Sequence, residues 1–317
     1  MNIINYKKIY FIISGALVTL SVFGLIFWGL NLGIDFTGGS LLEIEYTGDR
    51  SSTQEVKDKL SNLDLGEISV QPIGEKGMLL RFKDVSEDVH QNILTKLNEH
   101  TLDLLAVENT DADEVIAPAN SRPAEKIIEK RFDSIGPVIG QELRTKTIYA
   151  IIIALLMIIL FISWAFRKVS KPISSWKYGV IAIIALFHDI LIVLGIFVFL
   201  GKFFSIEVNA PFVAALLTIL GYSVNDTIVI FDRVRENLKH YDYHFDNTVN
   251  KSVNQNLLRS VYTSVTTLLV LSSLYFFGGE TIKSFVLALI IGVVIGTYSS
   301  IFLASPLLVV WEKLKRK

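Results

Sequence analysis

The chain has 317 residues, of which 51% are hydrophobic, with a mean hydropathy of +0.48 and a formal net charge of −1. That apolar content exceeds what one soluble core needs, and the near-neutral balance gives no general basis for binding nucleic acid. Cysteine is absent, which excludes disulfides and thiolate metal sites.

The apolar residues gather into six runs: Ile9 to Ile34, Thr147 to Phe166, Tyr178 to Leu200, Pro211 to Phe231, Leu257 to Phe277 and Ser284 to Val310. Each is near the ~20 residues that cross the hydrocarbon core as a helix. Charge is distributed unevenly around them. Residues 31 to 145 hold 22 acidic and 12 basic side chains, net −10, and the remainder is net +9. Lys7, Lys8, Arg167, Lys168, Lys171, Lys177, Arg233, Arg235, Lys239, Lys251, Lys313, Lys315, Arg316 and Lys317 all fall on one side if the spans alternate. The positive-inside rule then predicts both termini in the cytoplasm and residues 31 to 145 outside. Run 1 is about 26 residues long and lacks a small-residue cleavage site at its end, which predicts a retained anchor.

The fold class expected is a polytopic α-helical membrane protein with six transmembrane helices and an extracytoplasmic α+β ferredoxin-like domain. Its parts are 1–34, the first span; 35–145, the outer domain and a return helix; and 146–317, a five-helix bundle. In the outer domain, Leu41 to Tyr46, Ile68 to Gln71 and Met78 to Phe82 read as strands. Ser52 and Glu55 match a capping box before a helix bearing Val56, Leu60 and Leu63. A second helix is predicted over Glu87 to Glu99, a fourth strand within Leu102 to Val107, and an amphipathic helix over Arg122 to Arg144, broken near Gly136 and Pro137. The order β-α-β-β-α-β is the ferredoxin-like motif.

Charges inside membrane spans are costly and mark functional candidates. Asp226 lies in run 4, with Thr218, Tyr222 and Asn225 at helical spacing and Gly221 open to close approach by another helix. Arg259 opens run 5, followed by Thr263 and Thr266. Asp226 is five residues from the end of its run and Arg259 two residues into the next, so the two match in depth, while pairing depends on adjacency. The alternatives are a snorkelling Arg259 and an Asp226 satisfied by neighbouring hydroxyls. His188 and Asp189 sit mid-run 3 but point in different directions as helix neighbours, so they are not automatically a dyad; either is a candidate for a transmembrane ion-coupling path, Asp189 the stronger because its charge is costlier to bury. Gly292 and Gly296 form a small-residue ridge with Ser300 and Ala304 for helix packing. The histidines lack metal-ligand spacing, and no nucleotide-binding, protease or other catalytic signature is present, so neither a metal, a cofactor nor enzymatic activity is expected.

Several motifs together resemble the SecF family of bacterial export proteins: Gly33-Ile-Asp35-Phe36-Thr-Gly38-Gly39-Ser, Ser134 to Leu143, Phe187-His188-Asp189, Gly221 to Asn237 and Asn254 to Thr267. The resemblance implies a member of the resistance-nodulation-division superfamily in the cytoplasmic membrane. It implies work with SecD, the SecY–SecE–SecG channel and SecA on a translocating unfolded preprotein, in contact with lipid and without nucleic acid. It further implies coupling to H⁺ or Na⁺ through Asp226 and Arg259.

Overall fold

A computed structural model describes residues 2–98, 127–165, 175–240 and 244–316. The chain divides into two compact units, Gly33–Thr145 and the combination of Met1–Leu32 with Lys146–Lys317.

The smaller unit contains a four-stranded antiparallel sheet. Its described residues form, in chain order, β1 (Gly39–Tyr46), α1 (Thr53–Leu60), β2 (Ser69–Ile73), β3 (Gly77–Phe82), α2 (Glu87–Asn98) and β4 (Ile127–Ile135). Spatial order is β2-β3-β1-β4, with β1 central between β3 and β4. Alternation explains the core: Leu42, Ile44 and Tyr46 from β1, with Met78, Leu80 and Phe82 from β3, turn inward onto Val56, Leu60, Ile93 and Leu97 of the two helices. Their opposite-facing neighbours include Glu43 and Glu45, and Glu45 pairs with Lys130 of β4 at 2.5 Å. The Ser52 hydroxyl accepts from the Glu55 amide at 3.1 Å, as an N-cap should.

This is the expected β-α-β-β-α-β order, but its last strand differs from the sequence reading. The strand expected within Leu102 to Val107 lies outside the described residues. Ile127–Ile135, expected to be part of an amphipathic helix, is instead β4. Its backbone pairs along the free edge of β1 from Gly39↔Ile135 to Tyr46↔Ile127, with a register shift between Glu43 and Ile44. Pro137 does not kink a helix there; it begins one, where its missing amide and fixed φ suit the first helical turn.

His90, on α2, is buried and lies flat on Phe132 of β4, with ring centroids 3.7 Å apart and planes within 4°. Its Nδ1 is 3.1 Å from Glu87 and its Nε2 3.4 Å from Glu129. The Gly38-Gly39 pair also has a local structural cause. Gly38 has φ +75 and Gly39 φ +118, conformations that suit glycine because it lacks Cβ. A Cβ on Gly38 would lie 2.7 Å from Pro137 Cα, and one on Gly39 would lie 2.8 Å from the Phe82 carbonyl oxygen. Gly140 approaches as closely, at 2.9 Å from the Gly38 nitrogen. Gly33 precedes a single helical turn, Ile34–Thr37, that carries Asp35 and buries Phe36.

Among the described residues, six helices are long and apolar enough to cross a membrane. Span 1 is Lys7–Phe27 behind a short 3₁₀ turn; span 2 is Pro137–Ala165, which begins in the smaller unit; span 3 is Ser175–Phe204; span 4 is Ala210–His240; and span 5 is Phe245–Phe277. Span 6 comprises Glu280–Ser299, a π-helical segment Ser300–Ala304, and Ser305–Arg316. The wide turn precedes Pro306, whose ring would clash with the Phe302 carbonyl in a regular helix and whose nitrogen has no proton to donate.

Span 6 packs against spans 3, 4 and 5, and span 1 lies along span 3. Gly292 and Gly296 allow this approach: added Cβ atoms would meet Ile219 at 2.3 Å and Ser223 at 2.9 Å. Gly195 does the same for Ser21 of span 1, at 2.1 Å. At Gly221, by contrast, an added methyl would have nothing within 4 Å, so the helix approach expected there is not made by the described residues of this chain.

Candidate functional site

The interior of spans 3 to 6 is apolar, but a run of hydroxyls crosses it. Span 5 turns Thr248, Ser252, Asn256, Ser260 and Ser264 inward at four-residue intervals, all buried. Four residues advance a helix by about 400°, so these side chains form one slowly rotating seam. Asp226 of span 4 meets that seam. Its Oδ1 accepts from Ser260 Oγ at 2.5 Å, while its Oδ2 is buried with no hydrogen-bond partner. Tyr222, one turn earlier, hydrogen-bonds through its hydroxyl to Ser264 at 3.1 Å, and Ser264 to Thr297 of span 6 at 2.6 Å.

Arg259 occupies a different face. It is exposed on span 5 and acts on Asp226 as a nearby charge, without an ion pair between them. The expected direct, buried Asp226–Arg259 pair is therefore replaced by Asp226–Ser260, one position further along span 5. Thr263 and Thr266, expected beside Arg259 on the polar path, bond to carbonyls of their own helix: Thr263 to Arg259 and Ser260, Thr266 to Tyr262 and Thr263. Thr218 similarly bonds to Ala214. Thr218, Gly221 and Asn225 are exposed on span 4, as Thr263 and Thr266 are on span 5. Adjacent positions on a helix differ by about 100°, so choosing Arg259 rather than Ser260 selected the neighbouring face. The four-residue repeat from Ser252 to Ser264 was the available signal.

A second cluster lies between spans 3, 4 and 6. Asp189 is 1% exposed; its Oδ1 is 2.9 Å from His188 Nδ1, and its Oδ2 accepts from Ser223 at 2.5 Å and Ser299 at 2.8 Å. His188 and Asp189 are thus a dyad despite being neighbours on one helix. Beside them, Thr227 and Ser300 share a hydrogen bond of 2.8 Å, and Ser300 also donates to the Gly296 carbonyl at 2.9 Å. Ser223, Thr227, Ser260, Ser264, Thr297 and Ser299 are the members that the sequence reading did not single out. Hydroxyls carry no charge, and serine or threonine is common in spans as a back-bonding residue.

Among the described residues, no group of three or more His, Cys, Asp or Glu side chains comes together that could hold a metal ion. The arrangement that remains is two carboxylates, Asp189 buried and Asp226 half-buried, each hydrogen-bonded to hydroxyls on adjacent helices. Such a set can hold protons or small cations and can repack when its charge changes.

Comparison with known proteins places the chain in a family. Residues 116–314 match the family described as Protein export membrane protein SecD/SecF, C-terminal, and residues 23–49 match the SecD/SecF GG Motif. The chain is 42% identical to the Protein translocase subunit SecF of Thermobaculum terrenum over 98% of its own length and 94% of that protein's. It is 36% identical to the subunit of the same name from Anaerolinea thermophila, over 98% of this chain and 94% of that one. The crystal structure of SecDF, a translocon-associated membrane protein from Thermus thermophilus, superposes with a TM-score of 0.78 at 31% identity, covering 99% of this chain. A second structure, SecDF in the super-membrane-facing form, gives 0.64 at 30% identity. The chain spans 39% of the SecDF chain in both cases. Six membrane spans and a large extracytoplasmic domain accord with that likeness. The chain belongs to the SecF family of protein translocase subunits.

Proposed function

We propose that this chain is an accessory subunit of the Sec export machinery that couples an ion gradient, of protons in the first instance, to completion of preprotein translocation. The observation that supports the reading is Asp226, with one oxygen held by Ser260 and the other buried and unpartnered. A buried carboxylate in this state is costly in charged form, and gaining a proton removes the charge. Loss of charge relaxes its hold on the span 5 seam and the attraction to Arg259, so spans 4 and 5 repack. Movement of the bundle carries the outer domain, which holds or releases the emerging chain.

The partner in this reading is SecD, at the SecY–SecE–SecG channel with SecA. Its support is the exposed polar strip of Thr218, Gly221 and Asn225 on span 4 beside Arg259, Thr263 and Thr266 on span 5. Polar groups facing hydrocarbon are unfavourable, and a second helical bundle covering the strip would shield them. That same strip supports a purely scaffolding role as the competing reading.

Asp226→Asn separates the two. In vesicles reconstituted with the partner and the channel, ion flux and preprotein export are followed together, with and without a gradient. The variant should assemble normally and lose both ion flux and gradient stimulation. Full gradient stimulation at normal protein levels would leave only the scaffold.

A further inference from the structure

The His188–Asp189 cluster is not needed for the scheme above, yet it is almost wholly enclosed in the membrane unit. Asp189 is 1% exposed, His188 5%, and Ser223 and Ser299 0%. Asp189 forms an ion-pair-distance contact with His188 and with no lysine or arginine among the described residues. The other groups facing it are those of the packed helices. Span 6 contributes Tyr298, whose ring lies 6.4 Å from that of His188, and the Tyr298 hydroxyl is in turn engaged by Ser14 and the Tyr10 carbonyl of span 1. Span 4 contributes Ser223, with Asp226 three residues further along the same helix and bonded away to Ser260.

In the state with Asp189 ionised, the carboxylate can only accept, so His188 Nδ1 bears the proton directed at it and Nε2 is a bare lone pair. That Nε2 is buried with no hydrogen-bond partner. With His188 neutral, the enclosed cluster in that state carries one net negative charge. Buried charge of this kind is retained only with compensation or for use.

We propose that His188 and Asp189 form a second proton-binding site, separate from Asp226, whose occupancy is read by span 6 through Ser299. A proton enters at Nε2, and the Nδ1 proton passes to Asp189 Oδ1 across the 2.9 Å contact. The products are a neutral histidine protonated at Nε2 and a neutral carboxylic acid, so the cluster charge goes from −1 to 0 with one proton gained. Oδ2 then becomes a carbonyl oxygen and a weaker acceptor. Ser299 has one hydroxyl proton and two acceptors within reach, Asp189 Oδ2 at 2.8 Å and the Gly296 carbonyl at 3.1 Å. Protonation moves it to the second, detaching span 6 from span 3 at the residue that borders the π-helical segment. Wide turns of this kind recur at functional sites.

This inference rests on the ion-coupled reading for its purpose, but its test reads Asp189 alone. Infrared difference spectra of the reconstituted complex, taken from about pH 9 to about pH 5, follow the C=O stretch of protonated carboxyls, told from lipid esters by its pH dependence and by comparison with Asp189→Asn. The wild-type chain should show a growing component that persists in Asp226→Asn and disappears in Asp189→Asn. In His188→Asn, whose amide can take the place of Nδ1 and donate to Oδ1 but which has no basic nitrogen, the component should grow in over a different pH range. Ser299→Ala should shift its frequency, since the hydroxyl on Oδ2 is gone. If Asp189→Asn does not assemble, the His188→Asn and Ser299→Ala spectra decide. A component indifferent to pH, or unchanged in His188→Asn and Ser299→Ala, overturns the proposal. Retention of gradient-driven export by Asp226→Asn would instead overturn the coupling scheme and leave this spectrum standing.

Discussion

Replacing Gly39 by alanine tests why the Gly-Gly motif is built as it is. Two costs apply. The backbone at φ +118 is one that L-residues rarely adopt, a strain of about 1–3 kcal/mol. The new methyl would also sit 2.8 Å from the Phe82 carbonyl oxygen, a main-chain atom next to the Ser40↔Phe82 pair of β1 and β3. Relieving that contact requires separating two paired strands, and overpacking of this sort costs about 1–3 kcal/mol. The sum, about 4 kcal/mol, is a large part of the 5–15 kcal/mol that holds a typical domain folded. Gly74→Ala is the matched control: its φ is +56, but nothing lies within 4 Å of the added methyl, so it carries strain alone. Amide hydrogen exchange across β1 and β3, in the assembled protein, reports local opening directly. Gly39→Ala should lower protection there by at least tenfold more than Gly74→Ala lowers it around Gly74, since tenfold corresponds to about 1.4 kcal/mol. Equal losses in the two variants would refute the reasoning.

Gly292→Ala should destabilise the bundle by about 1–3 kcal/mol, because its methyl meets Ile219 at 2.3 Å, whereas Gly221→Ala should be neutral within this chain; thermal melting in detergent compares the two. Leu80→Ala, at a fully buried core position, should cost the outer domain about 2–5 kcal/mol, seen as a lower denaturant midpoint. The Glu87 carboxylate is held below its ordinary range by hydrogen bonds from the Gln91 amide and His90. Its contribution is therefore present at neutral pH and is lost as pH falls through that lowered value. Melting curves of Glu87→Gln should differ from the parent at neutral pH and converge with it in acid.

How much of this was legible in the sequence depended on what each residue type can signal. Six spans were readable because runs of about 20 apolar residues have few other uses. Ser52 and Glu55 marked a helix start through a side chain that satisfies a specific amide. Ile127–Ile135 misled because Glu129, Lys130 and Arg131 interrupt its alternation, and only the open edge of β1 supplies its partner. The site was half visible: Asp226, Asp189 and His188 stood out by charge or titratable character. Their ligands did not, because Ser260 and Thr263 look alike in sequence while one bonds across to Asp226 and the other back to its own helix. The Asp189 dyad was obscured by a rule about helix directions that holds for Cβ vectors but not for the reach of an imidazole ring.

The π-helical turn at Ser300–Ala304 bears on how the chain tolerates insertion and deletion. The wide turn takes up one residue more than a regular helical turn, so deleting one residue there would restore the regular repeat with the side chains beyond it still facing as they do. Leu308, Val309 and Glu312, all enclosed in the bundle, would keep their seats, but Pro306 would then lie in a regular helix, its ring against the carbonyl four residues before it. The turn therefore lets span 6 carry a proline in mid-helix without turning its last segment away from the bundle.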